Sequence, residues 1–420
     1  MVSETVRLDG HIIDSLTLSK VLDIIIRDGG EYHIRRFNVG ATRSDVSHAE
    51  IDVSARTVEE LDEILHLIQQ HGASRPSGEA ITASATSDGV FPEGFYATTN
   101  LRTSIQIAGK RVPVQHLEMD CGIVVQNVVQ NGNLEIGVDH GGETIAFCKP
   151  MHQILAGDHV VVGDAGVTVA PMQRDDPSDG FFFMGSDVST ERPKELVISA
   201  IAAAVRKAHA EAKRVLFVGG PAILHTGAGR HLETIILNGW IDVLFAGNAL
   251  ATHDIERAIY GTSLGVDTST GCAVAHGHEH HLRAINTIRK AGGIRQAVNA
   301  GIINSGIMHA AIVRGIDVVL AGSIRDDGPL PDVITDSIVA QDAMRKGVRG
   351  VAVAIMVATT LHSVATGNLL PANVRTVCVD ADPDTVIKLM DRGTHQAFGL
   401  VTDCEYFLKE LAAQLVGVQQ

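Results

Sequence analysis

Residues 214–251 carry the pattern that most constrains how this chain can fold. An apolar run at 215–218 ends in a glycine-rich turn, an amphipathic segment follows, and a second apolar run at 243–246 ends just before Asn248. This order predicts a strand, a helix and a strand, and the strands must be parallel because a helical crossover joins them. Ligands of open parallel sheets bind beyond the carboxyl ends of the strands, so we expect a binding site at 219–229 and Asn248.

The same alternation continues to the end of the chain. We predict strands near residues 214–218, 242–246, 316–321, 350–357, 374–380 and 397–401, with helical patterns between them. These runs are rich in Val and Ile and apolar on both faces, which is typical of parallel strands covered by helices on both sides. The predicted fold class is therefore α/β, with a doubly wound, Rossmann-like parallel sheet over residues 183–420.

Two smaller modules are predicted before that sheet. Residues 1–90 have a mixed α/β pattern that includes a helix capped by Thr57, with Glu60 three residues further on. Residues 91–182 contain short alternating runs separated by Gly and Asp, which predict a β-rich module. The polar stretch 173–191 is typical of a linker into the third domain.

Charge and hydropathy exclude two classes of partner. The formal net charge is −15, and Lys and Arg form no cluster of the kind that binds a phosphate backbone, so no nucleic-acid partner is expected. The longest apolar run, 351–358, is far shorter than the ~20 residues that cross a bilayer, so no membrane partner is expected. The polar, acidic start of the chain is unlike a signal peptide, which predicts a soluble cytoplasmic protein.

The glycine-rich loop at 219–229 has two interpretations, a nucleotide-binding loop and an ordinary turn. Glycines let backbone amides approach a pyrophosphate at a helix start, but GGPAILHTGAG does not match GxGxxG, so an ordinary turn remains an equal alternative. The second strand ends in Asn248, where dinucleotide folds carry an acid. Asp380, at the end of a later strand, is suited to accept hydrogen bonds from ribose hydroxyls and to repel a 2′-phosphate. NAD is therefore favoured over NADP.

Two other predicted strand ends carry polar groups. The loop after 316–321 holds Arg325, Asp326 and Asp327, which are either part of a solvated loop or close to a ligand at the sheet edge. The loop after 350–357 brings hydroxyl groups and the imidazole of His362 to the same edge. A lone histidine is usually structural, but this one follows a predicted strand at the position where a cofactor would lie.

The run CAVAHGHEHHLRAIN holds His276, His278, His280 and His281. Pairs of these imidazoles could share a helical face and bind a metal, but HEHH is not HExxH and no third ligand type has convincing spacing. We therefore predict no metal and interpret the run as a solvated helix start or a substrate contact.

Several long phrases, taken in order, closely resemble the archaeal-type ornithine cyclodeaminase family. They are HIIDSLTLSKVLDII, GNALATHDIERAIYGTSLGVD, HGHEHHLRAIN, AGSIRDDGPLPDVITD, LHSVATGNLLP and DRGTHQAFGLVTD, and they span nearly the whole chain. The family shares the conserved region of lysine-oxoglutarate reductase/saccharopine dehydrogenase (LOR/SDH) and is similar to the carboxyl-terminal part of cyanobacterial arginine dihydrolase/ornithine cyclodeaminase. The resemblance implies a deoxyhypusine synthase-like NAD-binding domain, which would explain the missing GxGxxG. It implies cofactor contacts at Asn248, Ala249, Asp327, Thr359, Thr360, Leu361, His362, Asp380, Leu400 and Val401.

The reaction that the resemblance implies is conversion of L-ornithine to L-proline and ammonia with recycled NAD. We assign Asp326 or Asp327 to amine binding or proton transfer, Arg325 to the substrate carboxylate, and His362 to a proton relay as hypotheses. Glu118 and Asp120 are candidates for the δ-amine, with a turn between strands as the alternative.

Three other functions stay open on the sequence. A deoxyhypusine synthase-like transferase would need a lysine such as Lys388 to form an imine. An amino-acid dehydrogenase of the LOR/SDH type would show net consumption of NAD(P)H with an oxo-acid, and a sensor would bind NAD without converting ornithine. Apolar β runs and this fold type also predict a homo-oligomer.

Overall fold

The structure is a computed structural model, and it describes residues 1–420 except 14–15, 41–44, 76–77, 129–133, 136–142, 171–193, 264–265, 268–276, 327, 393–396 and 418–420. Contacts divide the chain into two units. The first comprises Met1–Asp176 with Leu370–Ala372, and the second comprises Pro177–Leu369 with Asn373–Gln420. The three predicted domain ranges stay a prediction, and the proposed linker at 173–191 lies outside the described residues.

The first unit contains eleven described strands and two α-helices. The strands are β1 Val2–Gly10, β2 Glu31–Asn38, β3 Ser47–Ala55, β4 Ile81–Ser84, β5 Thr103–Ile107, β6 Lys110–Gln115, β7 Gly122–Val128, β8 Leu134–Glu135, β9 Glu143–Lys149, β10 His159–Val162 and β11 Val167–Val169. The helices are α1 Thr17–Arg27 and α2 Val58–Gln69, with a 3₁₀ turn at Met151–Gln153.

A three-stranded antiparallel sheet, in the order β1-β3-β2, packs one face against α1 and α2. The predicted helix cap is confirmed, because the amide of Glu60 donates to Thr57 Oγ1 at 3.2 Å. The side chain of Glu60 completes the cap by accepting from the amide of Arg56 at 3.2 Å. The mixed α/β character predicted for the start of the chain is thus present.

The remaining strands of this unit form a second sheet, in the order β11-β5-β6-β9-β7-β10-β4, with β8 paired to β7. All of its pairs are antiparallel except β6 with β9. Its buried face is lined by aliphatic side chains such as Ile105, Ile123 and Val161. The β-rich texture predicted after residue 91 is therefore confirmed.

The second unit contains eight described strands and eleven α-helices. The strands are β12 Arg214–Gly219, β13 Val243–Gly247, β14 Thr262–Ser263, β15 Val266–Asp267, β16 Asp317–Ala321, β17 Val351–Val357, β18 Arg375–Asp380 and β19 Ala397–Val401. The helices are α3 Lys194–Ala210, α4 Ala222–His225, α5 Gly229–Leu237, α6 Asn248–Tyr260, α7 His280–Ala291, α8 Ile294–Asn299, α9 Ile307–Arg314, α10 Ser337–Gly347, α11 Leu361–Leu369, α12 Pro383–Arg392 and α13 Cys404–Val416, with a 3₁₀ turn at Gly277–Glu279.

Six of these strands form one parallel sheet in the order β16-β13-β12-β17-β18-β19. Numbered along the chain, this is the 3-2-1-4-5-6 order of dinucleotide-binding sheets. Buried aromatic and aliphatic side chains, including Phe217, Phe245 and Phe407, fill the layers between the sheet and its helices. The predicted doubly wound α/β domain is confirmed. Within the described residues, no helix combines the length and apolarity needed to span a bilayer.

Candidate functional site

The order of the sheet reverses between β12 and β17, because the chain proceeds from β12 towards β13 on one side and from β17 towards β18 on the other. Dinucleotides bind in the crevice that such a reversal opens at the carboxyl ends of the strands. We refer to this place as the switch point and to the whole row of strand ends as the carboxyl edge.

Two backbone segments meet closely at the switch point. The amide of Gly220, after β12, donates to the carbonyl of Val357 at 3.0 Å. A Cβ atom on Gly220 would lie 1.7 Å from the carbonyl oxygen of Ala358, so only glycine fits there. Ala358 itself has a φ of 53°, in the left-handed region that alanine rarely adopts. This contact was not predicted from the sequence, although GGP directly after an apolar run is a signal for it.

The segment after Ala358 turns directly into α11. The hydroxyl of Ser363 donates to the carbonyl of Thr359 at 2.5 Å, and the amide of Val364 donates to the carbonyl of Thr360 at 2.9 Å. These bonds start the helix at the carboxyl edge. Leu361 is 70% exposed there, so it presents an apolar surface beside the switch point.

His362, which follows β17 in the chain, lies against the ends of β16 and β13. Its Nε2 lies 3.4 Å from the carbonyl oxygen of Ala321, at the end of β16, and a Cβ atom on Gly247 would lie 3.0 Å from its Cε1. Burial lowers the pKa of His362, whereas the Ala321 carbonyl and the charge of Asp326 act in the opposite direction. A neutral ring that donates from Nε2 to Ala321 fits this contact, which leaves the role of proton relay without support from this geometry.

Asn248 begins α6 at the end of β13, and its side chain is buried. Its Oδ1 accepts from the amide of Leu330 at 3.0 Å and from the hydroxyl of Thr252 at 3.2 Å. The side chain therefore fixes the loop after β16 to the first turn of α6. Ala249 follows at the same edge and is half-buried.

The loop after β16 is shaped by its own polar groups. The carboxylate of Asp326 accepts from the amide of Ser323 at 2.8 Å, and the hydroxyl of Ser323 accepts from the amide of Arg325 at 3.2 Å. Arg325 is exposed, so its guanidinium is available to a ligand. Asp327 lies outside the described residues.

The last two strands of the sheet end in Asp380 and Val401, which are aligned with each other in the pairing register. Asp380 is half-buried, and its Oδ1 accepts from the amide of Asp382 at 3.0 Å. Leu400 has its side chain in the core at 1% exposure, so a ligand at this edge would meet its backbone, while Val401 is half-buried.

All the described candidates for cofactor contacts therefore lie at one edge of one sheet. Other candidates lie elsewhere. Glu118 and Asp120 belong to the first unit, in the turn between β6 and β7, where the carbonyl of Glu118 accepts from Thr98 Oγ1 at 2.7 Å and Asp120 has a φ of 60°. Lys388 is exposed on α12.

The histidine run is described only in part. His280 and His281 begin α7, whereas His276 lies outside the described residues. In the part of the chain that the structure describes, no group of three or more His, Cys, Asp or Glu side chains is arranged to hold a metal ion.

Comparison with known families covers almost the whole chain. Residues 199–411 match the family described as arginine dihydrolase ArgZ-like, C-terminal, Rossmann fold. Residues 102–198 match the first region of the same carboxyl-terminal part, and residues 3–101 match the LOR/SDH bifunctional enzyme conserved region.

Individual relatives agree with these matches. The ornithine cyclodeaminase of Methanopyrus kandleri is 47% identical over 418 residues, covering 99% of this chain and 98% of the relative. The crystal structure of apo ArgZ, an arginine dihydrolase from the ornithine–ammonia cycle in cyanobacteria, is similar at a TM-score of 0.82 and 33% identity, covering 100% of this chain and 59% of ArgZ.

The ternary complex of AgrE with ornithine and NAD⁺ is similar at a TM-score of 0.51 and 37% identity, covering 100% of this chain and 58% of AgrE. This chain thus spans a little over half of each of these two longer proteins and nearly all of the archaeal relative. The chain belongs to the family of archaeal ornithine cyclodeaminases and ArgZ-like carboxyl-terminal regions, with the LOR/SDH conserved region at its amino-terminal end.

Proposed function

We propose that this chain is an NAD-dependent ornithine cyclodeaminase, which converts L-ornithine to L-proline and ammonia. The observation that carries the proposal is the six-stranded parallel sheet in 3-2-1-4-5-6 order, with the close Gly220–Ala358 contact at its switch point. The near full-length relationship to an archaeal ornithine cyclodeaminase supports the choice of reaction, and the AgrE complex supports the choice of ligands.

The carboxyl edge fits a dinucleotide. The absence of a Cβ atom at position 220 lets the loop after β12 lie against the backbone that follows β17. The amides at the start of α6, for which no side-chain cap is found among the described residues, form the positive end of a helix dipole. Asp380 provides a carboxylate at the end of β18 that suits ribose hydroxyls. NAD, when bound, supplies an acceptor for the hydride of the ornithine α-carbon and returns that hydride to the cyclic imine.

The substrate groups have candidates on the loop after β16. Arg325 is exposed and suits a carboxylate, since a guanidinium can donate two parallel hydrogen bonds to it. Asp326 already accepts from the amide of Ser323, so its first task is to shape this loop. We therefore propose that Asp327 binds the amine of the substrate.

The decisive experiment incubates the purified chain with L-ornithine and substoichiometric NAD⁺ and measures proline and ammonia. We expect both products in equal amounts, over many turnovers per NAD, without net NADH. Net NADH formation without proline would indicate an amino-acid dehydrogenase. An amine adduct trapped by borohydride would indicate a transferase, and NAD binding without turnover would indicate a sensor.

The same assay tests the loop after β16. We expect Asp327→Asn to lower the rate of proline formation by about 100-fold, the lower end of what a positioned polar group contributes. An unchanged rate would remove Asp327 from the site.

We also propose that the chain forms a homo-oligomer and works in the cytoplasm. Exposed apolar side chains on the edge strand β2, Tyr32 and Phe37, support self-association, because such edges are usually covered. Sedimentation of the purified protein tests the first point, and imaging of a tagged chain in cells tests the second.

A further inference from the structure

A group of imidazoles lies beside the switch point and takes no part in the site described above. His225 ends α4, in the loop that follows β12, and its ring centroid is 5.2 Å from that of His253 on α6. The ring centroid of His281, at the start of α7, is 6.3 Å from that of His253. Three helices therefore bring three imidazoles together, with those of His225 and His281 near that of His253.

A buried carboxylate holds the central ring. Glu256 is fully buried, and its Oε2 accepts from Nδ1 of His253 at 2.8 Å. Its Oε1 accepts from the hydroxyl of Thr262 at 2.9 Å, and that hydroxyl lies 2.8 Å from Nδ1 of His280. Because the carboxylate of Glu256 accepts a hydrogen bond from Nδ1 of His253, Nδ1 carries the proton of the neutral ring and Nε2 carries the lone pair.

His253 lies in the second turn of α6, the helix that begins at the carboxyl edge. His253 follows Ala249 by four residues, so both lie on one face of α6, and helical side chains lean towards the helix start. Ala249 lies at the end of β13, next to β12 and therefore close to the switch point. Among the described residues no hydrogen bond to Nε2 is found, and the side chain is 12% exposed.

Among the described residues, the imidazole of His225 next to His253 is biased towards its neutral form. Burial lowers the pKa of His225, as does the neighbouring His253, while Glu256 opposes them. Of the residues that the structure describes, the titratable groups near His253 are His225 from α4, Glu256 from α6 and His281 from α7.

The proposed reaction needs a group of this kind. When the Cα–H bond of ornithine breaks with its electron pair passing to NAD⁺, a C=N bond forms and the α-amine must lose a proton. The δ-amine then adds to the imine carbon, and the α-nitrogen must regain a proton to leave as ammonia. One base that takes the proton in the first step and returns it in the second balances the α-nitrogen. The δ-ammonium loses one proton before it attacks and one after, and these pass to solvent and are matched by the protons that proline and ammonia take up.

We propose that His253, oriented by Glu256, is the base that accepts the α-amine proton of ornithine and returns it to the departing ammonia. This assignment rests on the proposed function. Glu256 acts through His253 and is a positioning residue. The histidine run singled out in the sequence supplies His280 and His281 to the surroundings of this pair.

The first test replaces the base while keeping its contact. In His253→Asn the side-chain amide can still donate to Glu256, but the basic Nε2 is gone. We expect kcat to fall by about 100-fold or more, the range that a positioned proton-transfer group contributes, with NAD affinity measured by calorimetry within about twofold of wild type. A kcat equal to that of wild type would overturn the assignment.

A matched control is present at the opposite edge of the same sheet. His209 pairs with Asp242 at 3.6 Å and packs edge-on against Trp240, so it too is an imidazole beside a carboxylate. We expect His209→Asn to retain wild-type kcat. An equal loss in both variants would mean that the effect is structural, and the assignment would fail.

Two further measurements distinguish a proton-transfer role of His253 from a purely structural one. In His253→Ala, added imidazole should restore part of the lost rate, whereas a purely structural role predicts no rescue and would overturn the proposal. Glu256→Gln should lower kcat by about 10-fold and leave KM unchanged, because orientation and not binding is lost. A change in KM alone would contradict the positioning role. If the wild-type chain forms no proline, the proposed function itself fails, which is a different result from any of these.

Discussion

The two edges of the parallel sheet use polar residues in opposite ways. At the amino edge, ionisable side chains lie against one another: Arg214 pairs with Asp317, and Asp242 lies 3.6 Å from Nε2 of His209. A cavity of about 250 Å³ lies among these groups. Because it lies at the starts of the strands, we do not assign the site to it.

At the carboxyl edge, polar side chains bond mostly to the backbone of the neighbouring loops. The side chains of Asn248, Asp326 and Asp380 each accept a hydrogen bond from a backbone amide. The donors are Leu330, Ser323 and Asp382, respectively. Each of these contacts fixes a loop and leaves carboxylate or guanidinium groups of the edge available to a ligand. The difference teaches that polar composition alone does not identify a site in such a sheet, whereas the partner of each polar group does.

The largest expected effect is at the switch point. Gly220→Ala places a Cβ atom 1.7 Å from the Ala358 carbonyl, so the two loops must separate. We expect a loss of about 3 kcal/mol in the free energy of unfolding, at the upper end of the usual cost of overpacking, and loss of NAD binding. Urea unfolding and calorimetry measure the two effects.

Gly227→Ala is the matched control, since Gly227 lies in the same loop and a Cβ atom there would meet no atom of the described residues within 4 Å. Its φ of 83° still costs alanine about 1 kcal/mol. Equal destabilisation by both substitutions would show that the switch point is no tighter than the rest of the loop.

Much of this sheet could be predicted from the sequence. The predicted and observed ends of all six strands agree within one residue, because parallel strands buried on both faces give continuous apolar runs. The strands of the first unit were harder. In β1 few side chains besides Val6 and Leu8 are buried, and in β6 Pro113 interrupts the pattern.

Only those residues of the candidate site that directly follow a predicted strand could be identified from the sequence. Asn248, His362 and Asp380 follow apolar runs, so their common edge could be inferred. The Gly220–Ala358 contact joins segments far apart in the chain, so the GGP signal at Gly220 does not identify the segment that it meets. Likewise His253 and Glu256 are a visible helical pair, but the approach of His225 and Thr262 depends on how three segments pack.

A buried acid gives the next largest effect and separates folding from function. The carboxylate of Asp254 on α6 accepts hydrogen bonds from the amides of Ile307 and Met308, at the start of α9. Burial raises the pKa of Asp254 to about 6, and the charge of Glu233 acts in the same direction. The two amides and the charge of Arg257 lower the pKa. Because the folded pKa lies above the unfolded value of 3.8, this group's stabilisation is complete below about pH 4 and is lost as the pH rises through 6. The contribution of Asp254 to the free energy of unfolding therefore changes by roughly 3 kcal/mol between the two ends of this pH range.

Urea midpoints across this range measure that contribution. We expect Asp254→Asn, which keeps an acceptor oxygen without the charge, to flatten the decline between about pH 4 and pH 6. Asp336→Asn is the control, because Asp336 caps α10 through two backbone amides but is exposed. A wild-type slope in Asp254→Asn would contradict the assignment of this titration to Asp254.

Asp380 tests whether the carboxyl edge binds the ribose. Asp380→Asn removes a charged acceptor at the end of β18, and a hydrogen bond to a charged group contributes about 1.5–3 kcal/mol. We expect NAD affinity to fall about tenfold and the preference for NAD over NADP to weaken, as measured by calorimetry with both dinucleotides. Unchanged affinity for both would place the ribose elsewhere.

The smallest effect is expected from the corresponding change at the amino edge. Asp317→Asn removes the partner of Arg214, but this ion pair is partly exposed, with 67% of the Asp317 side chain open to solvent. Exposed pairs contribute about 0–1 kcal/mol, so the urea midpoint should move little and NAD affinity should stay at the wild-type value. A loss of NAD affinity here as large as that of Asp380→Asn would remove the distinction between the two edges, because a ligand at the carboxyl ends of the strands has no contact through which an aspartate at their starts could act.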